Sequence, residues 1–215
     1  MKMQLPNIIQ EDTKPMTGIL SLKTGDELSN LEASHVEAQN AARGVYFKSC
    51  KLTGLELIAA ELPDINLRDC IITDSDFSGA TLAPCYLERV KFIKARLSGT
   101  QLYEGKFQDL TFDGCKLDMT NFRSTKFKRV LFKDCQMSDT DFSGAAFEEV
   151  EMSGCTLEKV NFSNSKATSL DLRGSTLQEL TGITSLKGAQ ISPEQLISIT
   201  NSMASEIGLK VDYPE

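Results

Sequence analysis

The sequence predicts an all-β solenoid, because an apolar residue, most often Leu or Phe, recurs at every fifth position over most of the 215-residue chain. The series begins at Phe47, ends at Leu177 and contains no insertion, and all 11 phenylalanines lie on it. Small or apolar residues, including all 6 cysteines, occupy positions two residues earlier. Neither the helix period nor the strand period keeps such a series on one face, whereas a chain that turns about 90° after every five residues does. The pattern therefore predicts a square coil with five residues on each side.

The five-residue units resemble those of the pentapeptide-repeat family. The segments "TDSDFSGATL", "DMTNF", "SDTDFSGAAF" and "EKVNFSNSKA" match its A(D/N)LXX unit, in which Phe can replace Leu. The resemblance covers roughly residues 45 to 180 and implies a right-handed quadrilateral parallel β-helix with large residues stacked inside. With coils spaced like neighbouring strands, about 4.8 Å apart, it implies a rod of about seven coils, about 33 Å long.

The cysteines are interpreted as interior packing residues. With four five-residue units per coil, Cys115, Cys135 and Cys155 stack in one interior column and Cys50 and Cys70 in another. Stacked Cα atoms about 4.8 Å apart are within disulfide range, but parallel side chains point the same way and a reducing cytoplasm disfavours the bond. The chain has no CxxC motif and a single histidine. We therefore expect no metal site, no cofactor and no catalytic residue.

The distribution of charge limits the possible partners. The net charge of −7 argues against direct nucleic-acid binding, which normally needs a basic face. Residues 20 apart become neighbours on adjacent coils, and one such outer column alternates in sign at every step: Asp69, Arg89, Asp109, Arg129 and Glu149. This alternation predicts ion pairs between coils, each contributing a few tenths of a kcal/mol. Lys106 and Lys126 share a column without an acidic neighbour, which leaves a small positive patch.

An acidic stretch is the main candidate for a partner surface. Residues 134 to 158 contain no Lys or Arg, and their carboxylates are Asp134, Asp139, Asp141, Glu148, Glu149, Glu151 and Glu158. Some pentapeptide-repeat proteins resemble a DNA duplex in shape and charge and occupy the DNA-binding saddle of type II topoisomerases. Residues 46 to 180 carry 20 acidic and 17 basic residues, which departs from the strongly acidic pattern of a duplex mimic.

The C-terminal segment changes from the five-residue period to a helical one. Ser192 can cap a helix of about 193–207, with Pro193 at its first position, Gln195 completing a capping box and Gly208 ending it. The apolar stripe of this helix either closes the open end of the solenoid or pairs with a second subunit. The segments "LDLRGSTL", "LKGAQISPEQL" and "EIGLKV" resemble the C-terminal region of the quinolone-resistance pentapeptide proteins, which implies an end-to-end homodimer. The residues expected in the cap or dimer contact are Leu186, Ile191, Leu196, Ile199, Met203, Ile207, Leu209 and Val211.

These patterns divide the chain into three parts: an N-terminal cap or degenerate coil (1–44), the solenoid (45–180) and a C-terminal cap (181–215). For the segment "GDELSNLEASHVEAQNAARG", a short helix and a degenerate coil both remain open. No apolar run is long enough for a signal peptide or a membrane span, so a cytoplasmic location without membrane contact is expected.

The sequence favours a non-enzymatic binding or scaffold protein. One version is a DNA-mimicking modulator of type II topoisomerase (gyrase), related to quinolone protection. The alternative is a structural or regulatory protein-interaction role unrelated to topoisomerase.

Overall fold

The computed structural model describes residues 1–8, 13–39 and 41–211, with the backbone alone described at 19–20 and 35–39. The chain forms a mostly parallel β-solenoid of about eight turns, followed by short helices. The predicted fold class is therefore confirmed. None of the helices in these residues is long and apolar enough to cross a membrane.

Within the described residues, fifteen strands make up the solenoid. In chain order they are β1 (Lys14–Ser21), β2 (Glu27–Ser29), β3 (Leu31–Gln39), β4 (Tyr46–Lys48), β5 (Lys51–Thr53), β6 (Asn66–Thr73), β7 (Tyr86–Ile93), β8 (Lys106–Asp113), β9 (Lys126–Lys133), β10 (Gln136–Ser138), β11 (Ala146–Ser153), β12 (Thr156–Glu158), β13 (Lys166–Ala167), β14 (Leu170–Asp171) and β15 (Thr176–Gln178). A 3₁₀ helix (Ile183–Leu186), α1 (Pro193–Ser198) and α2 (Thr200–Glu206) follow.

The regular coil advances by 20 residues. Phe107 pairs in parallel with Phe127, and Phe127 pairs with Phe147, so each member of the five-residue series lies above its equivalent in the previous coil. Each of the five long strands from β6 to β11 spans two sides of the coil. It bends at one residue whose φ lies between 53° and 58°: Asp69, Arg89, Asp109, Arg129 or Glu149. The left-handed conformation at these positions turns the chain through a corner of the square.

The interior is filled by stacked rings. Phe112 lies between Phe92 and Phe132, with ring centroids 5.0 and 4.9 Å apart and planes within 4° and 5° of parallel. The small residues two positions earlier fill the remaining space. Threonines at these interior positions donate hydrogen bonds to buried carbonyls. The hydroxyl of Thr100 donates to the carbonyl of Phe77 and that of Thr120 to the carbonyl of Leu97, both at 2.8 Å. These threonine hydroxyls are therefore paired, whereas the buried hydroxyls of Ser78 and Ser165 have no hydrogen-bond partner among the described residues.

The N-terminal segment adds a shorter, less regular coil. Strands β1 and β3 pair in parallel, with a register that shifts between Thr17 and Gly18, and β3 then pairs with β5. The partners are Lys14 with Leu31 and Glu32 with Lys51, so the coil advances by fewer than 20 residues. The five-residue period is lost here because these coils are shorter. The segment for which a helix and a coil were both open forms strands β2 and β3.

The C-terminal cap begins as predicted and then divides. The Ser192 hydroxyl accepts from the Gln195 amide and the Gln195 side chain accepts from the Ser192 amide, a complete capping box with Pro193 in the first turn. The single helix expected over 193–207 is split at Ile199, whose φ of −96° and ψ of 3° interrupt it. The Ser198 and Thr200 hydroxyls donate to backbone carbonyls of α1 and so compete with its continuation.

Candidate functional site

The solenoid interior offers no room for chemistry, because its side chains are packed to near-complete burial. All six cysteines are free and buried. Burial raises the pKa of the Cys85 thiol to about 12. Hydrogen bonds with the Cys115 and Cys155 thiols, together with burial, hold the pKa of Cys135 well above its usual range. Among the described residues no group of three or more His, Cys, Asp or Glu side chains could hold a metal ion. The exposed charged and apolar side chains of the described residues lie on the outer surface of the rod.

The alternating charge column forms two strong ion pairs. The Arg89 guanidinium donates to both carboxylate oxygens of Asp69 at 2.7 and 2.8 Å, and Arg129 donates to Asp109 at the same distances. Asp109 is only 1% exposed. Burial alone would raise the pKa of both carboxyls, but the arginine and backbone hydrogen bonds outweigh it and hold each pKa below its usual value. We call these four residues the aspartate column.

A basic side of the rod lies beside this column. Its cationic residues are Lys48, Arg68, Lys106, Lys126, Lys128 and Lys166, and its anionic residues are Glu27, Glu88 and Glu148. A groove of about 430 Å³ on this side is lined by Lys106, Lys126 and Lys166 over the edges of buried phenylalanines. Within the described residues, none of these three lysines forms an ion pair, whereas Lys128 pairs with Glu148 at 2.7 Å. The positive patch expected at Lys106 and Lys126 thus extends by two coils to Lys166.

The structure does not bring the acidic stretch together on one side. Asp141, Glu148, Glu151 and Glu158 lie on four different sides of the coil, and Asp134, Asp139 and Glu149 lie at three different corners. The run is longer than one coil, so a chain that turns a corner every five residues wraps it around the rod. Four of the seven carboxylates form ion pairs: Asp134 with Lys133, Asp141 with Arg123, Glu148 with Lys128 and Glu158 with Lys159.

The eight residues expected in the cap or dimer contact divide into two groups. Ile199 is buried, and Leu186 and Ile191 are partly buried against the core. The other five are exposed: Leu196 (48%), Met203 (38%), Ile207 (65%), Leu209 (61%) and Val211 (48%). Ile197, which lies off the predicted helical stripe and is not among the eight, is the most exposed at 76%. We call these six exposed residues the C-terminal apolar surface.

Polar contacts fix the C-terminal cap to the rod. The buried side-chain amide of Gln195 donates to the carbonyls of Leu172 and Ser175, both at 2.6 Å. The Glu206 carboxylate accepts from the Ile183 amide at 2.7 Å and from the Thr184 hydroxyl at 3.0 Å. These bonds satisfy backbone groups at the end of the last coil, so the cap closes the solenoid while the C-terminal apolar surface remains exposed.

These features define a class of protein: a parallel β-solenoid with a packed interior. The chain belongs to the pentapeptide-repeat family. One family model, described as a pentapeptide repeat region, matches residues 85–162. A second, described as pentapeptide repeats (8 copies), matches residues 50–83. Together they span more than half of the chain, including the aspartate column.

The solved structures to which the chain is similar include those of two pentapeptide-repeat proteins. One is a trypsin-treated form of QnrB1, described as a plasmid-mediated fluoroquinolone resistance protein, with 16% identity over 93% of this chain and 98% of that one, and a TM-score of 0.47. The other is HetL, described as involved in heterocyst differentiation regulation in the cyanobacterium Nostoc, with 18% identity over 82% of this chain and 86% of that one, and a TM-score of 0.41. A search of curated proteins finds no match.

Proposed function

We propose that the protein is a non-catalytic binding rod that pairs with a second copy through its C-terminal apolar surface and binds another protein along its sides. The observation that carries this proposal is the exposure of six large apolar side chains beyond the last coil, from Leu196 to Val211. Exposed apolar surface of this density marks an interaction site in a water-soluble domain. The packed interior supports a binding role rather than an enzymatic one.

A second copy is the occupant that fits this surface best. The surface lies at the end of the rod, and contact about a two-fold axis would bring the same six residues from each chain together. The sequence resemblance of this region to the end-to-end dimers of the quinolone-resistance proteins supports the same arrangement. The partly buried Leu186 and Ile191 and the buried Ile199 then serve the cap within each subunit, and the exposed residues serve the contact between subunits.

The oligomeric state tests this pairing. Light scattering during size-exclusion chromatography should give twice the 23.7 kDa chain mass for the protein and the chain mass itself for Ile207→Glu. The matched control is Ile58→Glu, because Ile58 is an isoleucine of similar exposure (59%) on the solenoid. This control should stay dimeric. A monomeric parent protein, or a dimeric Ile207→Glu variant together with a dimeric Leu209→Glu variant, would reject the pairing.

The charge distribution favours a protein partner other than topoisomerase. A duplex mimic needs negative potential along its sides, but the basic side carries six cations against three anions and the acidic stretch is dispersed around the rod. The topoisomerase modulator remains the second candidate, supported by the resemblance of the C-terminal segment. A gyrase supercoiling assay, with and without a quinolone, tests it. If the purified protein neither inhibits supercoiling nor protects the enzyme, this candidate is rejected.

A further inference from the structure

Residues 1–8, which we call the N-terminal arm, lie along the aspartate column. The backbone amide of Gln4 donates to Asp109 at 3.1 Å, and the backbone amide of Asn7 donates to Asp69 at 3.0 Å. The Ser49 hydroxyl donates to the carbonyl of Asn7 at 3.5 Å. The arm therefore crosses successive coils towards the N-terminal end of the solenoid.

The spacing of the acceptors matches an extended peptide. Asp69 and Asp109 are two coils apart, about 9.6 Å at the usual strand spacing. Gln4 and Asn7 are three residues apart, about 10 Å in an extended chain. One amide can therefore reach each aspartate without distortion. The intervening Arg89 points to Asp69, and Arg129 holds Asp109 from the following coil. The acceptors are thus fixed in position by the rod itself.

The contact depends mainly on the backbone of the arm. Leu5 is 71% exposed, whereas Met3, Pro6 and Ile8 are partly buried. The Thr111 hydroxyl donates to the Met3 sulfur at 3.8 Å, and Thr111 is only 8% exposed. Where an extended peptide binds along a sheet edge, main-chain hydrogen bonds provide the affinity and pockets for side chains provide the specificity. Here the carboxylates of Asp69 and Asp109 are the acceptors for the main-chain amides. A different segment with free amides at the same spacing would meet the same acceptors.

We propose that the aspartate column is a docking strip for an extended segment of a protein partner, and that the N-terminal arm occupies this strip as an intramolecular competitor. The proposal rests on the protein-binding role proposed above but not on the homodimer. In this arrangement the buried Asp109 carboxylate accepts a hydrogen bond from a backbone amide whether the arm or the partner segment occupies the strip. If the arm is removed and no partner segment replaces it, the Asp109 carboxylate is exposed to water beside Arg129.

Peptide binding in trans tests the proposal. A labelled peptide with the arm sequence MKMQLPNI should bind a variant that lacks residues 1–8, as measured by fluorescence anisotropy. It should bind the intact chain at least tenfold more weakly, because the tethered arm already fills the strip. The deletion removes no strand, since β1 begins at Lys14, and circular dichroism with thermal unfolding verifies the fold of the variant.

Two matched controls identify the contact. A peptide N-methylated at the amides of Gln4 and Asn7 keeps every side chain but loses both donors, and it should bind at least tenfold more weakly to the truncated variant. In that variant Asp109→Asn should weaken binding, whereas Asp113→Asn, at a carboxylate outside the strip, should not. Equal binding of the methylated and unmethylated peptides, or of the truncated and intact chains, would overturn the proposal. So would an absence of binding, and that result would leave the dimer and the protein-binding role standing.

Discussion

Replacement of Phe132 by alanine should remove one end of the stack formed by Phe92, Phe112 and Phe132. The Phe132 ring is fully buried and lies 4.9 Å from Phe112 in nearly parallel planes. It also makes edge contacts with Phe122, Phe127 and Phe142, at centroid distances of 6.3, 5.9 and 6.2 Å. Because the surrounding coils are held by parallel pairing on each side, they cannot collapse to fill the space that the ring leaves.

The size of the effect follows from these contacts. A buried Phe→Ala change costs about 3–5 kcal/mol of unfolding free energy, and the loss is greatest where the site cannot relax. Each aromatic pair adds about 0.5–1.5 kcal/mol beyond burial. We therefore expect Phe132→Ala to cost about 4 kcal/mol or more. Phe132→Leu keeps most of the apolar volume and should cost about 1–1.5 kcal/mol.

Denaturant unfolding monitored by far-ultraviolet circular dichroism measures both losses, since the chain contains no Trp. Met119→Ala is the control, because Met119 is a large apolar residue of the solenoid that is 62% exposed, and it should change stability by less than about 0.5 kcal/mol. A loss below about 2 kcal/mol for Phe132→Ala, or an equal loss for the leucine variant, would show that the rings are not a rigid stack.

Three further outcomes follow from the polar and thiol groups. The folded-state pKa values of Asp69 and Asp109 lie below the usual 3.8, so their contribution to stability is complete above that pH and is lost as the pH falls through the folded values. Unfolding curves at pH 7 and pH 3 should therefore show a smaller acid loss in the Asp69→Asn/Asp109→Asn variant than in the parent protein, and an equal loss would contradict this. Cys85, whose pKa is raised to about 12, should react with a thiol reagent at pH 8 only after denaturant is added, and rapid labelling of the native protein at this residue would refute its burial. Gln195→Ala should lower the unfolding free energy by about 1–3 kcal/mol, because two buried carbonyls lose their donor, and a neutral result would show that the cap is not held by this side chain.

The core could be predicted from the sequence almost residue by residue. A five-residue period places its series in the interior of a square coil with five residues on each side. The structure buries Phe47, near the start of the series, as fully as Phe122 and Leu177. The alternating column was also predictable, since a constant 20-residue coil converts sequence separation into contact. The Asp69–Arg89 and Asp109–Arg129 pairs are the outcome.

The surfaces at the two ends of the chain depended on information that the five-residue period does not carry. Where the coil shortens, as from Lys14 to Leu31, the 20-residue rule fails and residue neighbours cannot be counted from the sequence. The break at Ile199 turned a predicted stripe into one buried anchor and an exposed group that includes Ile197. That break depends on how the cap docks on the last coil.

The sequence by itself determined the solenoid, its filled interior and its inter-coil ion pairs, because these follow from local spacing repeated without interruption. The tertiary structure alone decided two matters: the division of the C-terminal helix at Ile199, and the position of the N-terminal arm over Asp69 and Asp109. The physical reason is distance along the chain. Gln4 meets a carboxylate more than a hundred residues away, and that contact forms only after the rod has stacked its coils into a regular line of acceptors.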